Sequence, residues 1–325
     1  MAGLPKVSFV VCTFNCRDYA ERCFESIRKQ NYPQNKVEIV VVDSYSTDGT
    51  IEIAKKFKAN LILTKIRGYM EGKGMPKSMG CEKAKGDIIF TLDSDNSLVE
   101  KNWIRNMIYP LITNNKIDYC ICRMKVIKSD SLTNQYLSLV GTDPFAIYSS
   151  FDPRISMHLI SLEDKGKYVI YNNKADNFLI TGGYYLGFRK ETLKNLGGYS
   201  RDVDVAYSLA EKEGGALIAI PKETHVHHLI TTSLFDFIKK KRKWGKYYFT
   251  SGNAERKFEW TNGAGKKARF VWEVIKNLTF VLPFLFSLYL TVRDRQPVWL
   301  LHAPVKWLTT AAYIFAFLEV KLGKK

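Results

Sequence analysis

Short apolar runs, each followed by a polar or amphipathic stretch, recur through the first 125 residues of the chain. Val7–Thr13 (VSFVVCT), Val37–Asp43 (VEIVVVD), Asn60–Thr64 (NLILT) and the run DIIFTLD ending at Asp93 lack period-two alternation, the pattern of strands buried on both faces. After the first run, Ala20, Cys23, Phe24 and Ile27 fall at i, i+3, i+4 and i+7 and predict an amphipathic helix. Asp48-Gly49-Thr50 opens a second helix through Phe57, and a short third one lies around Ser78–Lys85. Strands alternating with helical crossovers imply an α/β fold whose mostly parallel sheet is flanked by helices. Ligands of such sheets bind beyond the carboxyl ends of the strands, where Thr13, Asn15, Asp43 and Asp93 all fall.

Residues 129–178 show mixed short elements and no clear period. Order returns from Gly182 to Ile220: GGYYLGF, KETLKNLGGYS, an amphipathic helix in DVDVAYSLAEKEGG and a strand in ALIAI, followed by the basic-aromatic run KKKRKWGKYYF at Lys239–Phe249. Two apolar stretches close the chain, Val271–Val292 and Pro297–Val320, with RDRQ between them. The first would extend ~33 Å as a helix, enough for a bilayer core of about 30 Å. Glu273, Lys276, His302, Lys306 and Glu319 oppose simple spanning, because charges inside a span are costly. A hairpin lying in or dipping into the membrane interface, with Trp299 and Trp307 near the headgroups, is a comparable expectation. A buried helical pair in a soluble core or an oligomer interface is the third.

Charge changes this picture. Of the formal charge of +17, most sits in residues 239–325, which carry 18 Lys and Arg against 5 Asp and Glu. A basic region beside an apolar one suits anionic headgroups and favours membrane association, with no nucleic-acid partner expected. The six cysteines form no CxxC pair and read as small buried apolar residues of a reducing compartment. VSFVVCT is too short for a secretory signal and Arg17 soon follows, so the chain is expected at the cytoplasmic face of the cell membrane.

The candidate chemistry centres on Asp93-Ser94-Asp95-Asn96 at the end of the fourth strand. Two acids one residue apart make an electron-rich rim for a hard cation such as Mg²⁺ or Mn²⁺, which keeps its other positions for water and substrate phosphates. A nicotinamide-dependent oxidoreductase is excluded, because TFNCRDY follows the first strand in place of G-x-G-x-x-G.

Several ordered segments together resemble glycosyltransferase family 2. PKVSFVVCTFN (Pro5–Asn15) looks like the family's opening strand and turn, and VEIVVVDSYSTDGT (Val37–Thr50) like its second strand and loop. GMPKSMGCEKAKGDIIFTLDSDN (Gly74–Asn96) looks like the segment ending in its metal-binding acidic motif. GGYSRDVDVAYSLAEKEG (Gly197–Gly214) resembles the acceptor-side segment, and HVHHLITTSLFDFIKKKRKWG the histidine and basic-aromatic stretch that follows. The resemblance implies a GT-A fold, a UDP- or GDP-sugar donor, a divalent cation and inversion at the anomeric carbon. It assigns Asp95, with Asp93, to the metal. Thr13, Asn15 and Asp43 go to the nucleoside pocket, Ser94 and Asp93 to the donor, and Lys77 to the diphosphate. Asp202 becomes the general base toward a hydroxyl of a glycan or lipid-linked acceptor, with Asp204 its competitor.

Plainer roles compete for each residue. Asp43 serves equally as a strand-end turn acid, Thr13, Asn15 and Asp202 as helix caps, and Lys77 as a solvated charge. His225, His227 and His228 include a possible further metal ligand but read more simply as strand-end residues. The expected organisation is a GT-A catalytic domain over 1–228, a basic aromatic connector over 229–269 and an apolar membrane-associated helical hairpin over 270–325. A non-catalytic α/β scaffold binding anionic membranes or nucleic acid is the alternative. It leaves the clustered strand-end acids without a role.

Overall fold

The computed structural model describes residues 3–67, 74–141, 163–178, 186–252, 256–258 and 266–323. In chain order the elements begin with β1 (Val7–Thr13), α1 (Arg17–Arg28), β2 (Val37–Asp43), α2 (Thr50–Lys56), β3 (Asn60–Leu63), α3 (Pro76–Lys83) and β4 (Ile88–Asp93). They continue with β5 (Asn96–Leu98), α4 (Trp103–Thr113), β6 (Tyr119–Cys120), β7 (Arg123–Met124), α5 (Leu132–Val140), β8 (Glu163–Asp164), β9 (Tyr168–Asn173), β10 (Leu186–Arg189) and α6 (Lys190–Asn195). The last are α7 (Asp202–Ala210), β11 (Ala216–Pro221), β12 (His225–His228), α8 (Leu234–Tyr247), α9 (Lys266–Leu278), α10 (Val281–Asp294) and α11 (His302–Lys321). The chain divides into two compact units, Met1–Lys125 with Met157–His228, and Val126–Ser156 with Leu229–Lys325.

The first unit is built on a sheet of order β3-β2-β1-β4-β10-β6-β11-β9-β8. Its first four strands are parallel. Beyond them β10 runs antiparallel to both β4 and β6, and β11 runs parallel to β6 and antiparallel to β9. The chain leaves β1 in one direction through β2 and β3, then returns to place β4 on the other side of β1. That reversal opens a crevice at the carboxyl ends of β1 and β4. The register sets Thr13 opposite Asp43 and Cys12 opposite Asp93, so three strands end at one level.

The reason for these elements is burial. Val7, Phe9, Val10 and Val11 of β1 are inaccessible, as are Val40 to Val42 of β2. On α1 the buried positions are Ala20, Cys23, Phe24 and Ile27, the face its spacing predicts. Phe9, Phe90 and Trp103 pack ring against ring, with centroids 5.1 to 5.9 Å apart. A smaller sheet, β5-β12-β7, stands beside the end of β4, with β12 antiparallel to β5 and parallel to β7.

In the second unit the structure departs from the sequence pattern. The expected first apolar helix is broken into α9 and α10, bent by 80°, and Phe280 in the break has a φ of +63°, unfavourable for a bulky residue. The second apolar stretch starts as a 3₁₀ turn at Pro297–Leu301 and continues as α11. Helix α5 lies inside the stretch that shows no period; Ser131 caps it by accepting from Asn134 N, and Gly141 ends it at a φ of +83°. The expected order at Gly182–Tyr185 lies outside the described residues.

One glycine governs how closely α3 approaches the sheet. A Cβ on Gly80 would collide with Val10 Cγ1 and stand 3.1 Å from Val42 Cγ2, both on stiff β-branched side chains. Gly80→Ala is therefore expected to lower stability by about 1–3 kcal/mol through overpacking. Urea unfolding measures this; a change below about 0.5 kcal/mol, the size of an ordinary surface substitution, contradicts the packing account.

Candidate active site

At the ends of β1 and β2 the side chains organise a loop. Thr13 Oγ1 donates to Asp43 Oδ2 at 2.6 Å, and Ser46 donates to the same carboxylate from its backbone N (2.7 Å) and its hydroxyl (2.7 Å). Asn15, at a φ of +45°, donates from its backbone to Ser46 Oγ at 2.8 Å and accepts from Thr47 N at 2.9 Å. Thr13 and Asp43 are fully buried. The resemblance gives them to the nucleoside pocket; here three chain donors engage Asp43, which holds the turn. The open surface in front of them is a cleft of about 360 Å³ lined by Phe14, Asn15, Ser44, Tyr45, Thr47, Lys65 and Arg67. The Arg67 guanidinium carbon sits 3.5 Å from the centroid of the Phe14 ring, a cation–π stack. Sequence pattern did not single out Phe14, Tyr45, Lys65 or Arg67; their flanking position at the ends of β1, β2 and β3 is the signal that points to them.

At the end of β4 the sequence-predicted acids and the lysine meet. Lys77 Nζ lies 3.2 Å from Asp93 Oδ1 and 3.3 Å from Asp202 Oδ2. Lys77 and Asp202 are buried, whereas 39% of the Asp93 side chain is accessible, so one carboxylate of the three-charge cluster faces outward. Lys77 comes from the first turn of α3, where Pro76 starts the helix. Asp202 is the first helical residue of α7, and Arg201, not Asp202, is the cap residue. Asp204 turns away to Arg201 Nη1 at 3.4 Å. Ser94 hydrogen-bonds the Cys16 thiol, which burial pushes up from its ordinary value.

Asp95 is held separately. Arg22 Nη2 donates to its carbonyl at 2.7 Å, Asn96 Nδ2 to Oδ1 at 3.3 Å, and His228 Nε2 lies 3.1 Å from Oδ1. Strand pairing makes this possible, since His228 is the register partner of Asn96. The spacing from Asp95 to His228 is that of two donors to one cation. Among the described residues no cluster of three or more His, Cys, Asp or Glu side chains is placed to hold a metal. Mg²⁺ and Mn²⁺ commonly take one or two protein donors and complete their shell with phosphate oxygens and water. The pair therefore fits such an ion. Asp93, named with Asp95 for the metal, lies 3.2 Å from Lys77 Nζ through one oxygen.

The sheet order and the crevice beyond the ends of β1 and β4 are those of a GT-A fold. The model of the family Glycosyl transferase family 2 matches residues 8–197, and the chain belongs to that family. It is similar to the poly(ribitol-phosphate) beta-N-acetylglucosaminyltransferase TarS of Staphylococcus aureus, 34% identical over 95 residues that make up 29% of this chain and 17% of TarS. Glycosyltransferase AglE of Haloferax volcanii is 35% identical over 97 residues, 29% of this chain and 32% of AglE. The chain thus spans a third or less of these curated relatives. In fold it resembles the mannosyltransferase PcManGT of Pyrobaculum calidifontis, solved with GDP-Man and Mn²⁺, at a TM-score of 0.57 and 16% identity over 100% of this chain and 89% of that one.

The small sheet carrying His228 is anchored by Glu100, which accepts from His225 N at 2.7 Å and faces His225 Nδ1 at 2.8 Å. Burial pushes the Glu100 carboxyl up, but the hydrogen bonds and charge of His225 outweigh it and hold the group below its ordinary value. A carboxyl depressed in the folded state stabilises above its unfolded pKa, and that contribution disappears as pH falls through the folded value. Glu100→Gln is expected to flatten the fall in stability below about pH 4.5, read from urea midpoints across the acid range. An unchanged pH slope overturns this coupling.

Proposed function

We propose that this chain is a metal-dependent inverting glycosyltransferase that moves a sugar from a UDP- or GDP-sugar to a hydroxyl of a glycan or lipid-linked acceptor. The observation that carries the reading is the meeting of Lys77, Asp93 and Asp202 at the carboxyl end of β4, beside the Asp95–His228 pair. The relatives' names and the GDP-Man and Mn²⁺ held by the Pyrobaculum enzyme support it.

The residues divide the work by position. The Phe14 ring, stacked with Arg67 beside Lys65, offers the nucleotide's base a flat apolar face and its phosphates positive charge. Asp95 and His228 would hold Mg²⁺ or Mn²⁺, which supplies Lewis-acid stabilisation of charge on the departing diphosphate. Lys77, a point charge fixed by two carboxylates, faces the same developing negative charge. Asp202 takes the proton of the acceptor hydroxyl as that oxygen bonds to the anomeric carbon. The bond from that carbon to the diphosphate breaks on the opposite face, and the leaving group departs with its electron pair. Single displacement of this kind inverts the centre.

Thermal shift with UDP- and GDP-sugars plus Mn²⁺ identifies the donor, since a ligand at 100 times its Kd stabilises the fold by about 2.7 kcal/mol. With that donor, Asp95→Ala is expected to abolish metal-dependent turnover. Asp202→Asn is expected to keep donor affinity and slow transfer by about 10²–10⁴-fold. Loss of donor binding in Asp202→Asn removes the base assignment, and absence of any nucleotide-sugar stabilisation removes the enzyme reading.

A further inference from the structure

The carboxyl-terminal helices of the second unit expose large apolar side chains and bury polar ones beside small apolar ones. On α10 the buried side chains are Pro283, Ser287 and Leu290, while Leu282, Phe284, Leu285, Leu288 and Tyr289 are exposed, with Val281 at 61% and Val292 at 79%. On α9, Asn277 is buried and Val271, Trp272, Ile275 and Leu278 face out. On α11 the interior holds His302, Lys306, Thr309 and Thr310, whereas Trp307, Phe315, Phe317 and Leu318 are exposed. Several of the inward polar groups are bonded. Tyr136 Oη lies 3.0 Å from His302 Nδ1, and Ser287 Oγ donates to Pro283 O at 3.0 Å and accepts from Ala303 N at 3.2 Å. Thr309 and Thr310 donate to the carbonyls of Val305 (2.7 Å) and Lys306 (2.8 Å).

The interior also takes Leu290, Trp299, Ala303, Val305, Ala312 and Ala316, but so many large apolar side chains exposed on three helices are more than a surface solvated by water ordinarily carries. A contiguous apolar face of this size marks a contact with another apolar phase or partner. Charge selects between them. In the same unit α8 exposes Lys239, Lys240, Arg242 and Lys243 together with Phe235 and Trp244. Arg242 pairs with Glu319 of α11, and Lys246 reaches the same carboxylate at 3.1 Å, so the basic helix is fastened to the apolar bundle. Basic residues flanking an apolar, aromatic-bearing surface complement anionic headgroups over hydrocarbon.

We infer that this unit docks into one leaflet of an anionic phospholipid bilayer, with α9 and α10 lying in its plane. Crossing is disfavoured by length. Among the described residues no single helix is long and apolar enough to span. The 14 residues of α10 reach only ~21 Å of a core of about 30 Å. The 80° bend between α9 and α10 turns the pair away from a straight path through the bilayer.

The test uses the full-length chain and vesicles of phosphatidylcholine alone or mixed with phosphatidylglycerol. The protein is expected to float with the mixed vesicles, and far less with phosphatidylcholine alone or in high salt. The triple variant Val281→Glu, Leu285→Glu, Val292→Glu is expected to lose on the order of tenfold or more in vesicle binding with an unchanged circular-dichroism spectrum and donor-induced thermal shift. Removing charge with Lys239→Ala, Lys240→Ala, Lys243→Ala gives a second, milder loss confined to the anionic vesicles. Depth is read from the Trp272 signal, taken as wild type minus Trp272→Phe, with lipids brominated at shallow or deep positions. Stronger shallow quenching supports in-plane docking, and stronger deep quenching overturns it in favour of a penetrating hairpin. Failure to float overturns the inference outright. A dimer that the Glu triple splits then assigns the face to a second copy of the chain.

Discussion

A buried ammonium shared by two carboxylates holds the end of β4 together. Lys77 Nζ joins α3, β4 and α7, elements separated in the chain by 16 and 125 residues. Burying a lysine costs several kcal/mol unless its charge is met, and one carboxylate would leave ammonium protons without acceptors. Asp93 and Asp202 together meet its charge and accept hydrogen bonds from two of its three protons. Two positions along a helix differ by about 200°, so α7 turns Asp202 to Lys77 and Asp204 to Arg201. The close seat of α3 on Val10 and Val42, possible because residue 80 has no side chain, brings Lys77 over the strand ends.

The cluster also explains why a strained loop is maintained beside it. Asn15 and Tyr45 both adopt positive φ, at a cost of order 1 kcal/mol or more each for non-glycine residues. Asp43 offsets that cost by gathering Thr13 and Ser46 onto one carboxylate. The outcome is a rigid floor with Phe14, Tyr45 and Arg67 standing above it. Rigidity matters for binding, because side chains held before the ligand arrives lose little entropy when it does.

Much of this was legible in the chain because parallel sheets bury both faces of their strands. Uninterrupted runs such as VEIVVVD marked β2, and the strand-end position of Asp93 followed directly, whereas Lys77 and Asp202, both on helices, came only from the family resemblance. Burial of an individual polar side chain was not legible. Thr13 and Asp43 occupy strand ends like Asp93, yet the Ser46 turn closes over them, and no pattern distinguishes a closed strand end from an open one. His228 is the strand-end residue the sequence suggested, but its contact with Asp95 was not legible, for a related reason. Its place beside Asp95 depends on β12 pairing with β5, a contact between segments over 120 residues apart. Pairing at that distance is set by the whole fold and leaves no local periodicity. Helix α5 was missed because polar and apolar residues mix along LTNQYLSLV without a clean stripe, and seven of the nine are buried, so no solvent face imposes a period.

The apolar carboxyl-terminal region shows the complementary limit. Periodicity reports that a helix has two unlike faces, not which of them meets water. The sequence of α10 places Pro283, Ser287 and Leu290 at i, i+4 and i+7, and only the packing reveals that this narrow stripe is the inward one. Small and polar inward residues let helices approach closely and hydrogen-bond, as they do where the surrounding medium is itself apolar. Composition alone left a membrane neighbour and a buried helical pair both open for residues 271–320; the direction of burial and the break at Phe280 are what the docking inference rests on.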